Sequence, residues 1–305
     1  MPRNDTTRPD IYSRITDQII SALAQGVKPW TRPWNAAHAA GHVCRPLRHN
    51  GQPYSGINIL MLWATAMERD YAAPIWMTFR QAKELGAHVR KDEKGVPVVY
   101  ASSISKTETD EDTGDELERT IPFLKAYTVF NVEQIEGLPG HFYARAEPVM
   151  NPDERIAHAE TFFAATGAAI RNGGNSAYYS PRTDHIQMPP FESFLDAQGY
   201  YATLAHEAAH WTRHSSRLDR SFDQKRFGDQ GYAREELVAE LGAAFLCADL
   251  ELRLEDRQDH AAYIGHWLQV LRDDKRAIFA AAAHAQRASD YLHGLQAGAG
   301  SRAAA

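Results

Sequence analysis

The chain has 305 residues, 44% of them hydrophobic and 24% charged, which are the proportions of a soluble globular protein with room for one large or two ordinary domains. No apolar run reaches the width of a bilayer, and Cys44 and Cys247 lie far apart in no CxxC pattern; a membrane span, a disulfide scaffold and a thiolate zinc site are excluded. The net charge of −6 hides an asymmetry, because residues 1–100 carry 13 Lys/Arg against 8 Asp/Glu and the remainder is strongly acidic.

The polar start, Met1 to Asp10, has no signal-peptide core, and with the sparse cysteines it points to a reducing, cytoplasmic setting. Asp10 is a good N-cap for a helix carrying Ile11, Ile15, Ile19, Ile20 and Leu23 at helical spacing and closed by Gly26. Lys28 to Trp34 is a rigid turn rich in Pro and Trp, and the loop after Arg45 turns at Asn50-Gly51. Residues 57–69 read as a helix. Trp76 to Phe79 reads as a short strand or a helix entry, with Thr78 capping a helix through Glu84 that Gly86 ends. Val96 to Ala101 is a strand and Ile121 to Phe130 its partner. Between them the acidic run Thr107 to Glu118 reads as a flexible hairpin tip, since it does not follow the ligand order of a calcium loop.

Val132 to Asp153, broken by Gly137, Pro139, Gly140, Pro148 and Pro152, reads as a linker between a first domain, 1–147, and a second, 148–305. The second opens with a helix from Asp153 to Thr166. Ala177 to Pro190 forms a β-hairpin turning through Arg182-Thr183-Asp184, and its edge can hold a peptide in extended form. Helices follow over 200–211, over 232–246 and, as one or two pieces, over 258–292. The residues from Gly294 on are small and expected to fray.

The helix over 200–211 carries His206-Glu207-Ala208-Ala209-His210, an H-E-x-x-H sequence. Chance alone supplies such a motif about 0.04 times in a chain of this composition. Helical spacing puts both imidazoles on one face, one turn apart, where they can grip one Zn²⁺ or another divalent ion. Glu207 beside them is a base for the attacking water. Catalytic zinc usually takes a third protein ligand. The next helix offers Glu236 and Glu240 on one stripe, with Leu237, Leu241 and Ala244 on another. Glu236 is the expected third ligand and Glu240 the acceptor that orients a ligand histidine. Glu235 stays open as a weaker candidate, and so does an exchange of roles between Glu236 and Glu240. His214 falls on the same helical face but does not fit the spacing of a third histidine ligand. Tyr178, Tyr179, His185 and Tyr232 are candidates for a donor to the substrate's carbonyl oxygen.

The basic first part interleaves cations and rings, the combination that follows phosphates and stacks on bases in single strands. The candidates are Lys28, Trp30, Arg32, Trp34, Tyr54, Trp76, Arg80, Arg90, Lys91 and Lys94, beside Arg45, Arg48 and Lys83. Trp30, Trp34 and Trp76 suit a hydrophobic core as well as a stacking platform.

Asp10-Ile11-Tyr12, Ile15 to Ile20, Pro29-Trp30, Pro33-Trp34, Tyr54 to Asn58 and Trp76 to Ala82 resemble the N-terminal domain of the ArdC antirestriction proteins, which is shared with TraC-type primases of conjugative plasmids. His206 to Thr212, Arg217 to Arg220 and Tyr232 to Leu241 are similar to the zincin-like metallopeptidase domain fused to it in that family. One departure is Ala208-Ala209, where a Leu-Gly or Leu-Ala pair is the expectation; both versions end in a small residue. The resemblance covers roughly residues 9–290. It implies an α+β fold, with an α+β single-stranded-DNA-binding domain followed by a mostly helical, gluzincin-like domain with a small β-sheet. It also implies action on incoming mobile DNA against restriction. The partners expected are single-stranded DNA and a protein substrate, for which a restriction-system component is the candidate; no membrane partner is expected. The rival expectation is a DNA-binding shield whose zinc site is structural or vestigial. A nuclease is disfavoured because no carboxylate-rich two-metal cluster is evident.

Overall fold

Helix α1 (Ile11–Ala24) forms because the Asp10 carboxylate accepts hydrogen bonds from the backbone N–H of Tyr12 at 2.7 Å and Ser13 at 3.1 Å, satisfying donors that the helix itself leaves open. Its apolar stripe, Ile15, Ile19 and Leu23, is buried. The molecule, a computed structural model, is described over residues 10–30, 44–109, 116–143, 151–222, 229–254 and 260–296.

Strand β1 (Leu47–Arg48), helix α2 (Ile57–Arg69), strand β2 (Ile75–Thr78), helix α3 (Phe79–Glu84) and strand β3 (His88–Val89) follow. The predicted helix over 57–69 is met residue for residue. Thr78 heads α3 in a reciprocal cap, its hydroxyl accepting from Gln81 N at 3.2 Å while Gln81 Oε1 accepts from Thr78 N at 2.8 Å. Strands β4 (Val96–Thr109) and β5 (Glu116–Asn131) pair antiparallel in unbroken register from Val96 opposite Val129 to Thr109 opposite Glu116. This ribbon is far longer than the two short strands predicted. Its outer half is rich in Ser, Thr and charged residues, so no apolar alternation marks it in the sequence. Of the predicted acidic tip, residues 110–115 lie outside the described residues. The sheet runs β1-β2-β5-β4.

The stretch read as a linker is structured at its start. Strand β6 (Ile135–Glu136) pairs antiparallel with β3, and Tyr143 Oη donates to Ile135 O at 2.7 Å. Helix α4 (Pro152–Ala165) comes next, then strands β7 (Ala169–Asn172), β8 (Tyr178–Ser180) and β9 (His185–Met188) in the order β7-β9-β8. The predicted hairpin is β8–β9, and β8 is an edge strand. Asp184 closes its turn with φ +46°. Helices α5 (Ala197–Trp211), α6 (Gln230–Asp249), α7 (His260–Asp273) and α8 (Ala277–Gly294) complete the chain. Helix α5 starts earlier than predicted and takes in Gly199, whose N–H donates to the Asp196 cap at 2.8 Å. Among the described residues, no helix is long and apolar enough to cross a membrane.

The two parts expected to be separate domains share a core. Ile15, Ile19 and Leu23 of α1 and Leu60 and Trp63 of α2 belong to the same buried cluster as Leu241 and Phe245 of α6, Trp267 and Leu271 of α7 and Ile278 of α8. A buried ion pair reinforces it: Arg45 meets Asp249 through Nε at 2.7 Å and Nη2 at 2.6 Å, with Gln286 Oε1 accepting from Nη1 at 3.0 Å. The expected boundary at 147/148 falls within 144–150, outside the described residues.

Candidate metal centre

Helices α5 and α6 cross at a point with almost no side chain between them. A Cβ added to Gly242 would lie 2.9 Å from the Ala209 Cβ. Small residues at the crossing let α6 approach until its acids reach the histidines of α5. His206 Nε2 lies 3.6 Å from Glu236 Oε2, and His210 Nε2 lies 3.4 Å from Glu236 Oε1. The two imidazole rings have centroids 4.8 Å apart. Among the described residues, this is the group of three whose ligand atoms converge closely enough to hold a metal ion, all within 4.8 Å of one another. Contacts of 3.4 and 3.6 Å are long for hydrogen bonds. They suit atoms that share an ion, since tetrahedral zinc with ligands at about 2.0–2.2 Å holds its ligand atoms about 3.3 Å apart. The donor set of two imidazoles and a carboxylate suits zinc, and it does not exclude manganese.

One outer nitrogen is held by a hydrogen bond and the other faces a carboxylate. Glu235 Oε1 lies 3.1 Å from His210 Nδ1, and Glu240 Oε1 lies 3.8 Å from His206 Nδ1. A proton on His210 Nδ1 leaves its Nε2 free for an ion. Glu235 is itself anchored by Arg220, which donates from Nε at 2.8 Å and Nη2 at 2.7 Å; Arg220 also donates to Thr212 Oγ1 at 3.1 Å and Ala209 O at 2.9 Å. The loop after α5 folds back to deliver it, with Leu218 N bonding Thr212 O and Arg220 N bonding Arg213 O, and Asp219 sits in the left-handed region at φ +45°. Burial opposes charge on His210, yet the Glu236 and Glu235 carboxylates outweigh it and push the imidazole up to about 10. Burial likewise opposes the charge of Glu236, but His210 and His206 hold its carboxyl far below the usual range. For Glu235 the same opposition from burial is overcome by Arg220 and His210, which bring it to about 2. The cluster is therefore built for charge that a cation can replace.

A cavity of 370 Å³ opens over the cluster, lined among others by Glu207, Arg213, Tyr178, Tyr179, Tyr232 and Tyr263. Glu207 is buried in its wall. Edge strand β8 supplies Tyr178 and Tyr179 to the same wall. Of the four carbonyl-donor candidates, His185 is absent from the lining and its Nδ1 lies 2.7 Å from Thr183 Oγ1. Tyr179 Oη donates to Asp184 at 2.9 Å and accepts from Arg217, which also lies over the Trp211 ring at 3.9 Å. His214 stands apart, bonded to Ser216. Arg220 and Tyr263 are neighbours of the cluster that sequence reasoning left unassigned. Glu235, the weaker candidate for third ligand, lies against His210 Nδ1, and Arg220 lies in a stretch noted only for resemblance.

Residues 9–130 match the N-terminal domain of anti-restriction factor ArdC, and residues 157–284 match a zincin-like metallopeptidase family. Uncharacterized protein y4eC of Sinorhizobium fredii is 45% identical over 300 residues, covering 96% of this chain and 95% of the relative. The metal-free crystal structure of antirestriction protein ArdC from plasmid R388 superposes with a TM-score of 0.77 at 49% identity, covering 94% of this chain and 97% of that one. The chain belongs to the ArdC antirestriction family. The Mn(II)-bound structure of the R388 ArdC protein gives the same TM-score at 46% identity. DNA primase TraC of Escherichia coli is 40% identical over 298 residues, which are 92% of this ArdC-family chain but 27% of the primase.

Within the part that matches the ArdC N-terminal domain, the structure corrects the list of DNA-contact candidates. Trp30, Tyr54 and Trp76 are core residues, with Trp76 fully buried; none offers a ring face to a base. A ring of that size gains more from burial in the shared core than a loop position can offer. Lys28 is buried too, and Arg45 is committed to Asp249. Arg80, Arg90, Lys91 and Lys94 remain at the surface or partly so, Arg80 paired with Glu84 and Arg90 with Glu93. Arg32 and Trp34 lie outside the described residues. Among the described residues of this part, the exposed Phe and Tyr rings are Phe79 and Tyr100, and Tyr100 stands opposite exposed Lys125 across the β4–β5 ladder.

Proposed function

We propose that this chain counters restriction of incoming DNA as a single-stranded-DNA-binding, divalent-metal-dependent peptidase. His206, His210 and Glu236 hold the ion, Glu235 and Glu240 orient the two histidines, and Glu207 is the general base. The observation that carries the reading is the spacing of two imidazole Nε2 atoms at 3.4 and 3.6 Å from one carboxylate, beneath a cavity that also holds Glu207. A divalent ion there supplies Lewis acidity to a carbonyl oxygen and lowers the pKa of water. Glu207 takes a proton from the attacking water and returns it to the leaving nitrogen, so that the amine departs neutral. Edge strand β8 offers unpaired backbone donors and acceptors along which a peptide lies extended.

The charge of the cleft favours polypeptide over nucleic acid as substrate. Glu207, Glu236 and Glu240 line it against a single arginine in the lining, Arg213, while Glu235 is neutralised by Arg220. Phosphodiesters entering such a cleft meet like charge. DNA instead belongs to the first part, for which the ArdC N-terminal match and the shared stretch of TraC are the support. Phe79 beside Arg80, and Tyr100 beside Lys125, offer the ring-and-cation pairing that single strands use. The deciding experiment is an in-cell restriction assay with Glu207→Gln. Loss of protection supports proteolysis. Unimpaired protection assigns the effect to DNA coverage alone and removes the peptidase from the function.

A further inference from the structure

The first turn of α6 places a phenol beside the ion-binding cluster. Asp229 caps that helix by accepting from Tyr232 N at 2.8 Å, which fixes Tyr232 one turn before Glu236. Tyr232 Oη lies 3.2 Å from Tyr263 Oη of α7, and the Glu236 carboxylate is a polar neighbour as well. Tyr263 is fixed from behind. Its ring stacks on Trp267 with centroids 6.2 Å apart, and Trp267 Nε1 donates to Ala233 O at 3.1 Å. Both tyrosines line the cavity over His206 and His210.

Two hydroxyls in contact share one hydrogen bond and leave one proton to give. When Tyr263 donates to Tyr232, the Tyr232 proton is free for a second acceptor. At rest that acceptor is Glu236. A carboxylate that has lent its lone pairs to a cation is a poorer acceptor, and an oxygen gathering negative charge at the same cation is a better one. The rival donors are otherwise engaged or unfixed. Tyr179 is bound to Asp184 and Arg217, His185 faces Thr183, and no hydrogen bond among the described residues fixes the Tyr178 hydroxyl.

We propose that Tyr232, backed by Tyr263, donates the hydrogen bond that holds the substrate's carbonyl oxygen as charge builds on it. The proton stays on Tyr232 throughout, and Glu207 handles the only proton that moves. The inference rests on the peptidase reading and adds to it a donor that the metal motif does not contain.

The test uses the full chain loaded with zinc, as parent, Tyr232→Phe and Tyr263→Phe, with metal content measured in each. The probe is a phosphonamidate dipeptide, a tetrahedral anion, titrated by calorimetry. Ethanethiol serves as control, since its thiolate binds a metal without presenting an oxygen to the phenol. Tyr232→Phe should weaken phosphonamidate binding about 100-fold and Tyr263→Phe about 10-fold, as loss of one preorganised donor does, with ethanethiol binding unchanged. On a fluorogenic peptide, kcat should fall while KM holds. Equal phosphonamidate affinity in parent and both variants overturns the proposal, and so does a zinc-loaded parent that does not bind the probe. If Tyr232→Phe loses zinc, Tyr263→Phe, whose hydroxyl lies against Tyr232 Oη, carries the comparison. Failure of the underlying peptidase reading shows elsewhere, as hydrolysis that survives Glu207→Gln.

Discussion

Replacing Arg220 by methionine should damage stability and metal binding together. Arg220 and Glu235 are each 1% exposed, and the guanidinium spends its nitrogens on the two Glu235 oxygens, Thr212 Oγ1 and Ala209 O. Removing one partner of a buried pair leaves the other charge unpaired, at a cost of about 3–5 kcal/mol. At about 2 °C per kcal/mol for a chain of this size, melting should fall by roughly 6–10 °C. Glu235 then no longer holds His210 Nδ1 in place, and loss of such a support lowers metal affinity about 10–100-fold. Differential scanning calorimetry on the metal-free chain and a competitive zinc titration measure the two effects separately. The pH dependence follows from the sign of the Glu235 shift. Its carboxyl is brought down to about 2 in the folded chain, so the stabilisation it gives is fully present above the ordinary carboxylate range and is lost as pH falls toward 2. The deficit of Arg220→Met relative to the parent should therefore be full at neutral pH and shrink below about pH 4.5. Adding Glu235→Gln to Arg220→Met removes the orphan charge and should recover most of the melting temperature. A variant that melts with the parent and binds zinc as tightly refutes the account of Arg220 as the anchor of this site.

Glu207→Gln should retain zinc and single-stranded-DNA affinity while peptide turnover drops about 10²–10⁴-fold; turnover equal to the parent's would remove Glu207 as base. Trp76→Ala should destabilise the chain by about 3–5 kcal/mol in chemical denaturation, because the ring is fully buried. Lys91→Ala and Lys94→Ala should instead leave stability alone and lower the salt slope of single-strand binding by about 0.7 each, read by fluorescence anisotropy. Gly242→Val should weaken zinc binding more than it lowers melting temperature, since a side chain there meets the Ala209 Cβ and parts α5 from α6; an unchanged zinc affinity would show that the close crossing does not set the site.

The candidate cluster was readable in the sequence because its geometry is mostly local. His206 and His210 need only one helical turn, and Glu236 needs only a second helix of the right periodicity beside the first. The supports were less legible. Glu235 holds His210 because Arg220 arrives from a loop whose path depends on Asp219 adopting a left-handed backbone, and nothing in local spacing announces that. The burial of three rings in the first part was illegible for a different reason. Composition reports that Trp30, Tyr54 and Trp76 are rings, not which surface they face, and α7 and α8 pack against this part and help to cover them. The same packing joins the parts on either side of the expected division at 147/148. An apolar helix stripe shows that it needs a partner without showing which element provides it.

Four glutamates, Glu207, Glu235, Glu236 and Glu240, line one cavity. Arg220 neutralises Glu235, and the two imidazoles lie against Glu236. Glu207 and Glu240 are buried close by, Glu240 with its Oε1 3.8 Å from His206 Nδ1, in a region where like charges repel strongly because little water screens them. Arg213 shares that cavity wall. A divalent cation at the Nε2 atoms would offset part of the acids' charge and displace the proton that His210 otherwise carries near neutrality, its imidazole being pushed up to about 10. Metal binding should therefore tighten as pH rises toward that value. The acids that make the site costly without a cation are the ones that select for it, and the shared core keeps α6 where those acids must stand.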